Sequence, residues 1–201
     1  MSVRFSLLKN AALAFAIVAL PACGAEKPVE PSDADITAAR EAAAALGGTL
    51  KARLLAAIAE GGPISAITVC SEEAPEISLA VSTDKAVSVG RTALRVRNPD
   101  NAPDEWERRQ LEKFAAAIED GVDPASIEYA EVVTSGETKT FRWMKPIMMD
   151  GPCQLCHGEE IADDVRAAIL AFYPEDAATG FKFGEMRGAF TVEKPISDTR
   201  S

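Results

Sequence analysis

Late in the chain, two cysteines and the only histidine fall within five residues, Cys153-Gln154-Leu155-Cys156-His157. Each position of this pattern has a chemical reason. Two thiols three residues apart can form thioethers to both vinyl groups on one edge of a porphyrin. The histidine beside the second thiol is then carried under the iron as an axial ligand. Two other chemistries use parts of the pattern. A redox-active Cys-x-x-Cys opens a helix after a strand and has no need of His157. A zinc site drawn from Cys70, Cys153, Cys156 and His157 is Cys₃His by composition. Adjacent residues such as Cys156 and His157 rarely bind one tetrahedral ion, however, because their side chains diverge. One covalent haem, of the c type, uses every residue of the motif.

A single histidine constrains the fold further, because bis-histidine ligation within one chain is impossible. The other side of an iron is left to Met, Cys, Lys, water or nothing. Met144, Met148, Met149 and Met186 are available, and methionine ligation gives a high-potential carrier. Core packing is the commoner fate of methionine. Cys70, in the apolar stretch Ile67-Thr68-Val69-Cys70, is the sharper candidate. Its alternative is a buried inert thiol.

The fourth cysteine belongs to the start of the chain. Arg4 and Lys9 flank a segment that runs into Leu13-Ala14-Phe15-Ala16-Ile17-Val18-Ala19-Leu20, the layout of a secretory signal. The stretch is too short to span a bilayer comfortably. It ends in Leu20-Pro21-Ala22-Cys23, which resembles a bacterial lipobox. Residues 1–22 then read as a lipoprotein-type signal peptide, with Cys23 lipidated. Cleavage after Ala25, giving a soluble periplasmic protein, is the alternative. Gly24 favours the outer membrane of a Gram-negative cell by the same resemblance, and several acyl chains anchor where one is marginal. Residues 23–34 read as a flexible tether and 35–201 as one domain. Export suits haem attachment outside the cytoplasm. It also makes the unpaired Cys70 conspicuous, since exported proteins usually pair their cysteines.

The formal charge is −10, and it becomes −12 when the signal segment takes Arg4 and Lys9 with it. A field of that sign repels phosphate backbones, so nucleic acid is disfavoured as a partner. It suits solubility and a basic partner protein.

Helical spacing runs from Asp35 to Ala59 with an interruption at Gly47-Gly48, and Gly61-Gly62 stops it. Pro63 can open a short helix carrying Cys70, limited by Pro75. A strand is expected over 86–96, with Gly90 as a bulge. Asp104 caps a helix to about Ile118. Strands over 127–134 and 138–147 form a hairpin, the motif follows, and a helix over 162–173 leads to a strand at 188–192. This order predicts an α+β fold, an antiparallel sheet flanked by helices. Arg95 and Arg97, two apart in a strand, would share a face. With Arg91 they are candidates to pair with haem propionates through charge-assisted bonds. Ordinary surface pairing is the alternative. Trp106 and Trp143 read as core or as neighbours of the macrocycle.

Several separated segments resemble a family of exported c-type haem domains, long catalogued as a domain of unknown function. They are Gly61-Gly62-Pro63, Val69 to Pro75, Val89 to Pro99, Ala102 to Glu107, Met144 to Ile147, Cys153 to Gly158, Tyr173-Pro174, Ala178-Thr179-Gly180 and Arg187 to Phe190. The resemblance implies a PAS-like fold and haem ligation by histidine and cysteine, with Cys70 opposite His157.

Two protein ligands leave no open position for oxygen or peroxide, which argues against an enzyme. Thiolate stabilises ferric iron and lowers the potential relative to His/Met ligation. Reduction would weaken the iron–thiolate bond, so that Cys70 could leave, admit CO or NO and move its helix. The expectation is a periplasmic redox or gas sensor module, lipid-anchored, whose output needs a partner protein. A membrane-tethered, low-potential electron carrier is the alternative.

Overall fold

Glycine and proline decide where the long N-terminal helical run bends. The computed structural model describes residues 29–197, so the expected signal segment, Cys23 and the start of the expected tether lie outside the described residues. Helix α1 (Asp33–Thr68) opens on Ser32, whose hydroxyl accepts the backbone N–H of Asp35. Helix α1 thus begins two residues before the expected domain start at residue 35. The expected interruption at Gly47-Gly48 is absent, and α1 runs through both glycines. Gly47 serves packing instead, since a Cβ there would come 2.7 Å from the Phe190 ring. The break falls at Gly61 and Gly62, the latter at φ 75°, and Pro63 restarts the helix. A proline at a first turn has no N–H bond to lose.

The backbone then widens into a π turn, Val69–Glu73, which carries Cys70. Helix α2 (Ala74–Lys85) follows directly. Pro75 does not limit the helix as expected; it occupies the first turn of α2, where proline is tolerated. Part of the run from Asp33 to Lys85 is apolar enough to cross a membrane by length and composition, with mean hydropathy 1.5. Several of those apolar side chains, among them Leu54, Ile58 and Ile67, instead line the cleft described below.

Strand β1 (Ser88–Thr92) is shorter than the expected 86–96. Gly90 pairs in regular register with Thr191 and forms no bulge. Helix α3 (Glu105–Glu119) starts at Asp104 with a reciprocal capping box to Glu107. The expected hairpin is β2 (Tyr129–Ser135) with β3 (Thr138–Met148). The motif forms a single turn, α4 (Gln154–His157), and α5 (Asp163–Phe172) follows. Strand β4 (Met186–Ile196) is longer than expected and inserts between β1 and β3. The sheet order is β1-β4-β3-β2, antiparallel throughout, and its one irregularity falls at Ile147/Met148, just before the motif.

Alternation along β3 explains the two cores. Phe141 and Trp143 pack with Ala39, Ala42 and Leu46 of α1. Met144 packs on the other face with Trp106, Leu111 and Phe114 of α3. Arg142, buried on that second face, pairs with Asp104 at 2.7 Å and Glu193 at 2.6 Å and lies 4.3 Å from the Trp106 ring centre. Helices thus cover both faces of an antiparallel sheet, the α+β class expected. Trp106 and Trp143 are core residues, and neither reaches the cleft.

Candidate functional site

Strand β3 delivers the motif to the edge of a cleft. Beyond Met148 the carbonyls of Asp150 and Gly151 accept the N–H groups of Cys153 and Gln154, at 3.1 and 3.2 Å. His157 N–H donates to the Cys153 carbonyl at 2.9 Å, closing one helical turn. Residues i, i+3 and i+4 share a helix face. That spacing is why both thiols and the imidazole open on the same cavity. Gly158 ends the turn, and a Cβ there would meet the Gln154 carbonyl at 2.6 Å. Asp150 pairs with Lys51 of α1 and also accepts from Cys153 Sγ at 3.1 Å, which ties the motif to the long helix.

The cleft encloses about 1020 Å³, part of it open to solvent. Cys70 enters from the π turn, and Cys153, Cys156 and His157 enter from the motif. Arg91 enters from β1 and Arg187 from β4, while Ile58, Ile67, Val96 and Ile147 make the walls apolar. All three cysteines are free thiols. Among the described residues no group of three His, Cys, Asp or Glu side chains could hold a metal ion. The Cys₃His zinc grouping is therefore not assembled. Of the four candidate methionines, Met148 lines an adjoining cavity shared with Cys70, Arg91 and Cys153, while Met144 and Met149 are buried in core clusters and Met186 packs on the α3 side.

The arginines do not share a face, because β1 stops at Thr92 and Arg95 and Arg97 lie on the loop beyond it. Arg95 turns away from the cleft, stacking 3.6 Å from the Phe181 ring centre and pairing with Glu185 at 3.3 Å. Arg97 turns inward, but its fork is taken by Asp176 and by the carbonyls of Cys156 and Ala178. Arg91 has no hydrogen-bond or carboxylate partner among the described residues. Sequence reasoning assigned no role to Arg187, Asp176 or Tyr173. Arg187 and Tyr173 fall in segments that carried the family resemblance, which was the one signal pointing to them.

Loss of water raises the pKa of the Cys70 thiol, an effect that Arg91, Arg97 and Arg187 partly offset. The same desolvation raises Cys153 and Cys156. It holds His157 well below the usual histidine range, with Arg187 and Arg97 pushing the same way. The imidazole is therefore neutral and keeps one ring lone pair. Burial, then Arg97 and Arg91, lowers Arg187 to about 10, and burial lowers Arg91. Arg91, Arg97 and Arg187 line the cavity, and among the described residues only Arg97 has a carboxylate partner, Asp176. This surplus of positive charge around apolar walls complements a flat apolar group with acidic substituents.

The fold and site define a class: a small α+β domain with one cleft lined by thiols, an imidazole and arginines. The chain belongs to the Tll0287-like family, whose model, described as Tll0287, matches residues 25–195. Among solved structures it is similar in fold to the crystal structure of the cyanobacterial heme-protein Tll0287. The TM-score is 0.60 at 19% identity, covering 83% of this chain and 98% of that one. No curated protein matches the chain in sequence.

Proposed function

We propose that this domain is a c-type cytochrome module. One haem is attached through Cys153 and Cys156, with His157 and Cys70 as its axial ligands. The observation that carries this reading is the convergence of separated segments on one cleft: the motif turn, the π turn bearing Cys70, and the strands bearing Arg91 and Arg187. The donor set fits the group, since thiols, a neutral imidazole and unneutralised cations are what haem edge, iron and propionates require. Haem supplies a one-electron ferric/ferrous couple. The chain's own residues set its environment. His157 is held neutral, Arg91 and Arg187 offer charge to the propionates, and the apolar walls exclude water. The heme-protein named in the structural comparison supports the same reading.

The module is non-catalytic in this proposal and acts as a redox or gas sensor in the periplasm, anchored through Cys23. Its helix-flanked antiparallel sheet supports the PAS-like resemblance. Cys70 lies in a π turn, a form that recurs at functional sites. It gives the sensor a widened turn at the candidate ligand. The alternative, a tethered low-potential electron carrier, is favoured by Leu155, which stands 42% exposed between the two cysteines and leaves the cleft edge accessible.

The absorption spectrum of the purified protein tests the ligand set. A thiolate-type ferric spectrum that is lost in Cys70→Ala is expected, and an unchanged spectrum would reject Cys70 as ligand. Slow reduction linked to ligand exchange points to the sensor; fast exchange with both ligands kept points to the carrier.

A further inference from the structure

The loop 173–181 meets the motif through a buried ion pair that the haem reading leaves without a role. Asp176 is 2% exposed at its side chain and Arg97 10%. Arg97 Nε and Nη2 donate to the two carboxylate oxygens at 3.1 and 3.0 Å, a bidentate fork. The same Nη2 donates to the carbonyls of Cys156, at 2.6 Å, and Ala178, at 3.3 Å. Asp176 Oδ1 accepts the Ala178 N–H at 2.9 Å. Both ends of residue 178 are thus held, and its carbonyl is aimed at His157 Nδ1, 2.7 Å away.

A carbonyl only accepts, so that contact places the ring proton on Nδ1. Arg97 Nη1 lies 3.5 Å from Nε2, and a guanidinium only donates. This second, longer contact also favours an unprotonated Nε2, and a ligand that takes the lone pair displaces Nη1 from it. Arg187 Nε, 3.3 Å from Nδ1, would ask for the opposite tautomer. The 2.7 Å contact is shorter and its carbonyl has no proton to offer, so Arg187 is a neighbour of the ring and not its hydrogen-bond donor. Buried ion pairs seldom add stability compared with apolar packing, and their best-attested use is to fix one arrangement over another.

We propose that the Arg97–Asp176 pair is a positioning device that fixes His157 as the Nδ1–H tautomer, leaving Nε2 as the lone pair offered to a ligand. Only the identity of that ligand rests on the haem reading. Arginine is required because a lysine carries the charge without the planar fork.

The chain has one histidine, so ¹⁵N-histidine labelling of the full-length protein reports His157 alone. In the haem-free chain the wild type is expected to show a protonated Nδ1 and an unprotonated Nε2. Arg97→Lys and Asp176→Asn should exchange or average the two ring-nitrogen shifts. A wild type protonated on Nε2, or an Arg97→Lys protein with wild-type ring shifts, would overturn the proposal. If Asp176→Asn does not fold, the wild-type tautomer and Arg97→Lys decide between the same outcomes. In the haem-loaded ferric protein, a shifted spread of electron-paramagnetic-resonance g values in Arg97→Lys supports positioning. An unchanged one shows that the residue acts only as a charge and overturns it. Failure of the haem reading is seen separately, as purified protein without covalent haem, and leaves the tautomer measurement intact.

Discussion

Arg53 of α1 grips Glu73 at the end of the π turn with both arms of its guanidinium, Nε to Oε2 at 2.6 Å and Nη2 to Oε1 at 2.9 Å. The pair spans 20 residues and fastens the segment that carries Cys70 to the helix running beneath it. Both side chains are partly exposed, so the pair adds little to global stability. Its effect is local. Glu73→Gln is expected to leave the unfolding midpoint almost unchanged while speeding amide exchange over residues 69–74. Hydrogen exchange read residue by residue checks this, and unaltered exchange across the π turn counts against the latch.

Adjacent glycines of α1 should respond with opposite signs. A Cβ at Gly47 would press within 2.7 Å of the Phe190 ring, whereas nothing lies within 4 Å of one at Gly48. Gly47→Ala is expected to cost about 1–3 kcal/mol by overpacking. Gly48→Ala, in an exposed helix interior, is expected to gain about 0.5–1 kcal/mol. Urea unfolding of the two variants makes the comparison.

Two carboxylates outside the cleft shape the acid limb of stability. Hydrogen bonds from Lys194, at 2.8 Å, and then from Ser32 hold Asp35 below its ordinary range. Arg40 does the same for Glu128. A carboxylate depressed in the folded state gives stability that is complete above its unfolded value, about 4. That stability is lost as pH falls through the lower folded value. Asp35→Asn with Glu128→Gln should therefore lower stability at neutral pH and flatten the loss below about pH 4. Denaturation midpoints measured across that range would show it.

Arg91 faces the cleft with no partner of its own among the described residues. In the haem-loaded protein, Arg91→Gln is expected to lower the reduction potential, because removing a nearby cation favours the more positive ferric iron and leaves a propionate unneutralised. Arg91→Lys should stay nearer the wild type. Spectroelectrochemical titration checks the order, and equal potentials would separate Arg91 from the propionates.

Much of this protein is written locally in its chain. The Cys153 to His157 spacing places two thiols and an imidazole on one turn, whatever the rest of the fold does. Asp104 and Glu107 announce the start of α3, and alternating side chains around Ser135-Gly136 announce the hairpin. These features depend on neighbours within a few residues, so they can be read without coordinates. The lone histidine likewise excludes a second histidine ligand within the chain by count alone.

Tertiary structure decided the rest, because it depends on which distant side chains packing brings together. Arg95 and Arg97 look equivalent in sequence, yet β1 ends before them, and one turns toward Glu185 while the other turns toward Asp176, 79 residues away. Whether Gly47 breaks a helix or admits a ring depended on where β4 places Phe190. That Cys70 opens on the same cleft as His157 follows from α1, the π turn and the β3 edge closing around one space. The sequence by itself determined that two thiols and an imidazole share one turn; long-range packing determined which charges surround them and which carbonyl meets the imidazole.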